Sequence, residues 1–141
     1  MGKAELGEPF RHQLRVRYNE CDPQNIVFNG NYLHYFDIAV TELYREAIGG
    51  WSEVQAYGVD AVVAEANVRY LRPLRFDEEF EIETGVEHMG DSSMVLSLAI
   101  NRAGERCTEG TLRYVFIEAG GGAKATIPGA LREAFVPYLI D

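Results

Sequence analysis

The chain has few of the features on which several common protein functions depend. Of its 141 residues only two are cysteines, Cys21 and Cys107, too few for a disulfide framework and without the CxxC spacing of a zinc site. No apolar run approaches the roughly 18 residues that a membrane-spanning helix needs. The opening residues, MGKAELGEPF, place no apolar run after a basic start, so a secretory signal is not expected. These absences favour a globular protein with reduced thiols in the cytoplasm.

Basic charge is also scarce, and so are the familiar catalytic motifs. Lysine and arginine number 13 against 22 acidic residues, a formal net charge of −9, which disfavours non-specific binding to nucleic acid or to anionic membranes. The sequence contains no GxSxG elbow, P-loop or HExxH pattern. The three histidines, His12, His34 and His88, lie far apart and no ligand cluster surrounds them, so no metal site is expected.

One strand and one long helix are predicted in the first third of the chain. QLRVRY (13–18) alternates apolar and polar residues, as a half-buried strand does. From Tyr32 to Ile48 the apolar residues recur every three or four positions, which predicts a helix. Its N-cap is predicted at Asn31 or Asn29, and its end at Gly49 and Gly50. The apolar stripe of this helix is predicted to comprise Leu33, Phe36, Val40, Leu43 and Ala47.

The rest of the sequence favours strands joined by tight turns. After a short helical turn at 51–58, strands are predicted at 61–71, 78–89, 93–101 and 111–117, with turns at MGDSS and RAGE. A Gly-rich linker (120–127) leads to a C-terminal helix (128–141). We therefore expect a single α+β domain over 1–141, with its core at 10–119. Its five-stranded antiparallel sheet would wrap around one long central helix, the arrangement called the hotdog.

A carboxylate stands at a chemically interesting place, in the loop between the first strand and the long helix. Asp22 is followed by Pro23, and Asn25 and Gly30 can both adopt left-handed backbone angles, so the chain can double back. Such a loop can bring Asp22 to the helix N-terminus, where backbone N–H groups stabilise an oxyanion. The local pattern also fits a carboxylate that only caps an Asx turn.

A longer pattern around Asp22 resembles a known signature. V-x-Y-x-E-C-D-P-x-x-I-V-F-N-G-N-Y-L-x-Y-F-D, from Val16 to Asp37, resembles the active-site signature of the 4-hydroxybenzoyl-CoA thioesterase-like branch of the hotdog superfamily. The likeness continues through NVRYLRPLRFDEEFEIET, MGDSSMVLSLAI and IPGALREAF, and it covers roughly residues 12–138. The signature is specific for the fold and for acyl-CoA thioesterases, but weak on substrate.

The resemblance implies a hydrolase of a fatty or aromatic acyl-CoA, working without a cofactor and with CoA as part of the substrate. Asp22 matches the catalytic aspartate, which acts as general base or nucleophile, and Tyr32 matches the aromatic residue that shapes the acyl pocket. Backbone N–H groups at a helix N-terminus would hold the thioester oxygen. The site would lie at a subunit interface of a homodimer or homotetramer. The residues expected to bind CoA are Arg69, Arg72, Arg75, Ser92 and Ser93.

Three positions depart from the family's pattern. Asn29 stands where many relatives carry a histidine, so any role of that histidine would pass to an amide that cannot transfer a proton. Asn25 replaces a common glycine, and Asp91 replaces a residue that is often basic. Asn29 keeps open a non-catalytic alternative, a hotdog module that binds acyl-CoA or another acyl ligand. A hydratase ranks last, because no histidine is placed for that chemistry.

Overall fold

The five strands form a single antiparallel sheet. The computed structural model describes residues 8–140; residues 1–7 and 141, which the predicted domain includes, lie outside that part. The spatial order is β1-β3-β4-β5-β2, which leaves β1 and β2 at the edges. The strands are β1 (Phe10–Arg15), β2 (Val59–Tyr70), β3 (Glu79–Met89), β4 (Ser93–Arg102) and β5 (Glu105–Glu118). Together with the long helix this confirms the predicted hotdog architecture.

The central helix, α1 (Asn31–Ile48), supplies much of the core. Seven of its residues are buried: Tyr32, Tyr35, Phe36, Ala39, Val40, Leu43 and Tyr44. The helix ends where predicted, because Gly49 takes a left-handed conformation (φ 96°) and its N–H donates to the Arg45 carbonyl. A second helix, α2 (Trp51–Ala56), follows at once and leads the chain into β2.

The strands present their apolar residues to α1 in the predicted alternation. Phe80, Ile82 and Val86 of β3 are buried, as are the alternate residues of β4 and β5. The RAGE turn between β4 and β5 has positive φ at both Ala103 (51°) and Gly104 (81°), as the tight hairpin predicted there requires. Sequence periodicity was therefore sufficient to orient three strands of the sheet.

The end of the chain packs back against the domain. In the segment predicted as a Gly-rich linker, the Ala125 N–H donates to the Phe116 carbonyl, so this stretch runs beside β5. The last helix, α3 (Gly129–Phe135), continues into a 3₁₀ turn at Val136–Tyr138. Phe135 packs edge-on against Tyr44 with ring centroids 5.1 Å apart, which attaches α3 to the central helix.

Four local expectations were wrong. The first strand stops at Arg15, and Tyr18 lies in a 3₁₀ turn with 80% of its surface exposed. Leu33 is 44% exposed, because the buried face of α1 is rotated toward Tyr32 and Tyr35. Neither asparagine caps α1, since Gly30 precedes the helix and no side chain makes the capping bond. Gly30 is also right-handed (φ −67°), so only Asn25 (φ 66°) provides the left-handed bend.

The close approach of α1 to the sheet predicts an effect of Gly110 on stability. A Cβ at Gly110 would lie 2.6 Å from a ring carbon of Phe36 and 2.5 Å from the backbone oxygen of Asn67. Gly110→Ala should therefore lower the free energy of unfolding by about 1–3 kcal/mol, as overpacking typically does. Gly129→Ala is the matched control, because nothing lies within 4 Å of the added atom. Equal stability of the two variants in urea denaturation would contradict the prediction.

Candidate active site

A cleft of about 400 Å³ opens where the loop before α1 meets the end of β2. The loop contributes its carboxylate, and the β2 end contributes aromatic and apolar side chains. The residues lining the cleft are Asp22, Gln24, Ile26, Val27, Asn29, Tyr32, Tyr70, Leu71, Arg72 and Pro73. Three residues predicted to be catalytic, Asp22, Asn29 and Tyr32, thus share one cavity.

Asp22 is held by its own loop but keeps one oxygen free. Its Oδ1 accepts a hydrogen bond from the Gln24 backbone N–H at 2.8 Å, the Asx turn that the sequence allowed. Its backbone N–H donates to Ile26 at 2.9 Å, and its carbonyl accepts from Asn25 at 2.9 Å. Within residues 8–140 nothing donates to Oδ2. The carboxylate is therefore oriented by one oxygen, and the other is available to a water or a substrate atom.

Two backbone donors stand in the loop just before α1. The N–H groups of Asn31 and Tyr32 are used in turns, donating to Phe28 and Asn29. The N–H groups of Asn29 and Gly30 donate to no other residue in the described part of the chain. They immediately precede α1, where the helix dipole favours negative charge. The arrangement can stabilise an oxyanion that forms beside Asn29.

Two tyrosines fix the wall of the cleft. The buried Tyr32 hydroxyl accepts a hydrogen bond from the Leu74 backbone N–H at 3.3 Å, and burial raises the pKa of Tyr32 above its ordinary value. Tyr70 packs edge-on against Tyr32, with ring centroids 5.1 Å apart. The Tyr70 hydroxyl donates to the Asn29 carbonyl at 2.9 Å, so the end of β2 is tied to the loop. Tyr32 consequently supports the cleft as a neutral, rigid wall.

The three arginines expected to bind CoA differ in their surroundings. Arg72 lines the cleft, with its Nε 3.8 Å from a Glu105 carboxylate oxygen. Arg69 pairs with Glu109 at 3.6 Å and does not line the cleft, but lines a separate groove with Ser97 and Ala99. Arg75 contributes a backbone bridge to Ile26. Of the three arginines, Arg72 is therefore the one that lines the cleft containing Asp22.

Ser92 and Ser93 lie at the other end of the sheet. Ser93 pairs with Val115 on β5, whereas Tyr70 pairs with Thr108. Those two β5 positions are seven residues apart (115 − 108), which corresponds to about 23 Å along a strand. Within one chain, these serines and the Asp22 cleft do not meet.

A second, larger groove lies on the outer face of the sheet. Its volume is about 560 Å³, and it is lined chiefly by polar residues such as Gln13, Glu79, Glu81, Glu83 and Arg106. Several of these side chains pair with one another, for example Arg106 with Glu83 at 3.6 Å. The glutamates of this groove are paired with arginines, whereas Asp22 pairs with no cation among the described residues. The Asp22 cleft is therefore the stronger candidate for an active site.

Sequence reasoning missed Tyr70. Tyr70 stands in VRYLRPLR, a segment in which the arginines were the predicted binding residues. Its role depends on a contact with Asn29, 41 positions away. An aromatic residue near a strand end was the only local signal. Tyr35 and Phe36 of α1 are buried and do not line the cleft.

Comparison with known proteins agrees with this fold. A family model described as the thioesterase-like superfamily matches residues 16–135. Fold and match together define a thioester hydrolase of hotdog architecture. The chain belongs to the thioesterase-like superfamily.

Individual relatives support the same assignment. The acyl-CoA thioester hydrolase YbgC of Escherichia coli is 31% identical over 94 residues, which is 67% of this chain and 70% of the relative. The acyl-CoA thioesterase YbgC of Haemophilus influenzae is 21% identical over 131 residues, 92% of this chain and 96% of the relative. A solved structure from Pseudomonas aeruginosa superposes with a TM-score of 0.86 at 26% identity, covering 95% of this chain and 94% of that one.

Two features bear on membranes and metals. None of the helices within residues 8–140 is both long and apolar enough to cross a bilayer. The same residues contain no group of three or more His, Cys, Asp or Glu side chains arranged to hold a metal ion.

The thiol beside Asp22 gives a prediction about pH. Burial, and then the neighbouring Glu20 and Asp22 carboxylates, raise the pKa of Cys21 above its ordinary value. Because only the thiolate reacts, alkylation of Cys21 by iodoacetamide should be slow at pH 7 and should keep rising above pH 9. Asp22→Asn removes one of these charges and should speed the reaction at pH 8. Cys107 is fully buried, so mass mapping of the labelled protein will distinguish the two thiols. Rapid labelling of Cys21 at pH 7 would contradict the prediction.

Proposed function

We propose that the protein hydrolyses a fatty or aromatic acyl-CoA to the free acid and CoA at the Asp22 cleft. The observation that carries this proposal is the half-engaged Asp22 carboxylate, which shares a cavity with the loop that opens α1. The names of the YbgC relatives support acyl-CoA as the substrate class. Reduced thiols and the relatives' chemistry favour the cytoplasm as the proposed compartment.

Asp22 supplies the base or the nucleophile in this proposal. As a general base, its Oδ2 takes a proton from a water molecule while the water oxygen attacks the thioester carbonyl. As a nucleophile, the same oxygen attacks the carbonyl, and water then hydrolyses the resulting anhydride. Either route expels the CoA thiolate, and the carboxylate acts as the base or as the nucleophile without a metal or an organic cofactor.

Backbone donors stabilise the negative charge that develops on the carbonyl oxygen. The N–H groups of Asn29 and Gly30 are the proposed oxyanion donors, since they are unengaged and precede α1. Tyr32 and Tyr70 form the wall against which the acyl group packs. Donors fixed before the reaction begins stabilise the transition state without reorganising, which is why they accelerate hydrolysis.

We propose that two copies of the chain pair through β2. This strand is an edge of the sheet, is 12 residues long, and exposes Val62 (46%) and Val63 (51%). A long edge strand with exposed apolar side chains is a ready site for pairing with another strand. In an antiparallel, two-fold pairing, the first residues of β2 in one copy lie beside the last residues of β2 in the other copy.

This pairing explains how the remaining CoA-binding residues would reach the site. Ser92 and Ser93 lie far from Asp22 in their own chain, at the end of the sheet where β2 begins. An antiparallel β2 pair brings that end toward the Asp22 cleft of the second copy. The proposed CoA site therefore combines Arg69, Arg72 and Arg75 of one subunit with Ser92 and Ser93 of the other, in a homodimer or a tetramer built from such dimers.

The first test concerns Asp22. Asp22→Asn keeps the size of the side chain and the Asx turn but removes the base, so thioester hydrolysis should fall by a factor on the order of 10²–10⁴. Thiol release from short, long and aromatic acyl-CoAs measures this rate. Asp77→Asn is the control, because Asp77 is an exposed carboxylate with positive φ (71°), a conformation that asparagine accepts.

The outcomes separate catalysis from binding. Asp22→Asn with near-wild-type turnover would remove Asp22 from the mechanism. Tight acyl-CoA binding by the wild type, without thiol release from any substrate, would favour the alternative of a non-catalytic binding module.

The second test concerns the β2 pair. Val63→Lys places a charge on the proposed interface, so the dimer dissociation constant should rise by about tenfold or more, and thiol release at low protein concentration should fall with it. Analytical ultracentrifugation measures the assembly state. Val136→Lys is the matched control, because Val136 is 38% exposed but lies beyond α3, away from β2. A Val63→Lys protein as dimeric as the control would exclude pairing through β2.

A further inference from the structure

Glu20, two positions before Asp22, accepts hydrogen bonds from three other parts of the chain. Its carbonyl oxygen accepts from the Phe28 N–H at 3.0 Å and from the Asn31 side-chain amide at 2.8 Å. Its carboxylate Oε1 accepts from the Tyr35 hydroxyl at 2.7 Å and from the Arg17 N–H at 2.8 Å. One residue thus closes the base of the loop that carries Asp22 and joins that loop to the first two turns of α1.

The donor from α1 is a buried tyrosine with little freedom to move. Tyr35 is 1% exposed, and its ring packs against Phe80 with centroids 4.9 Å apart. Burial, and then the hydrogen bond to Glu20, raise the pKa of Tyr35 far above its ordinary value. The hydroxyl therefore stays protonated and donates to Glu20 throughout the working pH range.

The loop's other direct hydrogen bonds to α1 lie in the turn just before the helix, where the Asn31 N–H donates to Phe28 and the Tyr32 N–H donates to Asn29. Asp22 bonds to Ile26, Asn25 and Gln24, all of which lie in the same loop. Val27 is tied to the Leu74 carbonyl at 2.9 Å, which attaches the loop to the segment after β2. The loop therefore stays folded without Tyr35. The Glu20 carboxylate adds the bond that ties the start of the loop, next to Asp22, to the second turn of α1.

We propose that Glu20 is a positioning residue for the Asp22 carboxylate, with Tyr35 and Asn31 as the donors that lock it to α1. This inference rests on the proposed function, in which Asp22 must act on a carbonyl held at the start of α1. A displacement of about 1 Å between reacting groups can cost on the order of 10²-fold in rate. Glu20 supplies the constraint that prevents such a displacement, and it touches no substrate itself.

The decisive comparison uses two buried tyrosines of α1. Tyr35→Phe removes the hydroxyl that Glu20 accepts but keeps the ring, so kcat should fall about tenfold, with KM for the best acyl-CoA unchanged. Tyr44→Phe is the matched control, because the Tyr44 hydroxyl is also buried and has no hydrogen-bond partner among the described residues. It should leave kcat unchanged. A kcat of Tyr35→Phe equal to that of the wild type, or lowered no more than that of Tyr44→Phe, would overturn the proposal.

Conservative replacement separates positioning from a general loss of stability. Glu20→Gln keeps an oxygen at the Oε1 position and should retain kcat within about threefold of the wild type, whereas Glu20→Ala should lose at least as much as Tyr35→Phe. Combining Glu20→Ala with Tyr35→Phe should cost no more than Glu20→Ala alone, because both remove the same bond. A Gln variant as slow as the Ala variant, or fully additive losses, would contradict the proposal.

Asp22→Asn in the same assay distinguishes failure of the positioning role of Glu20 from failure of the proposed hydrolysis at Asp22. Loss of activity in Asp22→Asn with normal kcat in Tyr35→Phe rejects the positioning role alone. Retention of activity in Asp22→Asn, or a wild type that hydrolyses no thioester, rejects both. Loss in both variants, with Tyr44→Phe and Glu20→Gln active, supports both.

Discussion

Burial of α1 against the inner face of the sheet is the interaction on which the remaining structure depends. The helix buries seven side chains there, four of them aromatic, and only a glycine at position 110 lets the ring of Phe36 approach β5 so closely. Once the helix axis is fixed, the place where its N-terminus emerges is fixed as well. The loop before α1 must then end beside the last residues of β2, and the cleft forms between them.

The sequence predicted the regular elements better than their ends, for a physical reason. Alternation in β3, β4 and the second half of β5 records which face is buried, although β5 begins at Glu105, six residues before its predicted start at 111. The start of α1 depends on single hydrogen bonds instead. Asn31 looked like a capping residue, but its amide donates to the Glu20 carbonyl, 11 positions earlier. Periodicity also placed Leu33 inside and gave Tyr35 no special role, because it cannot register a buried partner for a hydroxyl.

In the site, too, local sequence predicted some features, and others depend on distant contacts. Asp22, Asn29 and Tyr32 lie close together in sequence, so a local signature was enough to predict that they share a cavity. Tyr70 meets Asn29 only because β2 returns to the loop, and no local pattern encodes that contact. The serines and Arg69 and Arg72, all expected to bind CoA, are separated within one chain by about half the length of β5. Their combination depends on how two copies meet, which the pattern of a single chain does not specify.

Asp22 forms the Asx turn that its loop allowed, and this turn is compatible with the proposed catalytic role. The turn engages one carboxylate oxygen and leaves the other without a donor among the described residues, in a side chain that lines the cleft. Asn29 offers no alternative proton acceptor beside that second oxygen. Its backbone carbonyl is held by Tyr70, while its side-chain amide bonds to no other residue in the described part of the chain and cannot accept a proton at neutral pH. In the proposed mechanism, the proton of an attacking water therefore has one protein acceptor in the cleft, the Asp22 carboxylate, and the rate of hydrolysis would depend on how firmly the loop holds that carboxylate.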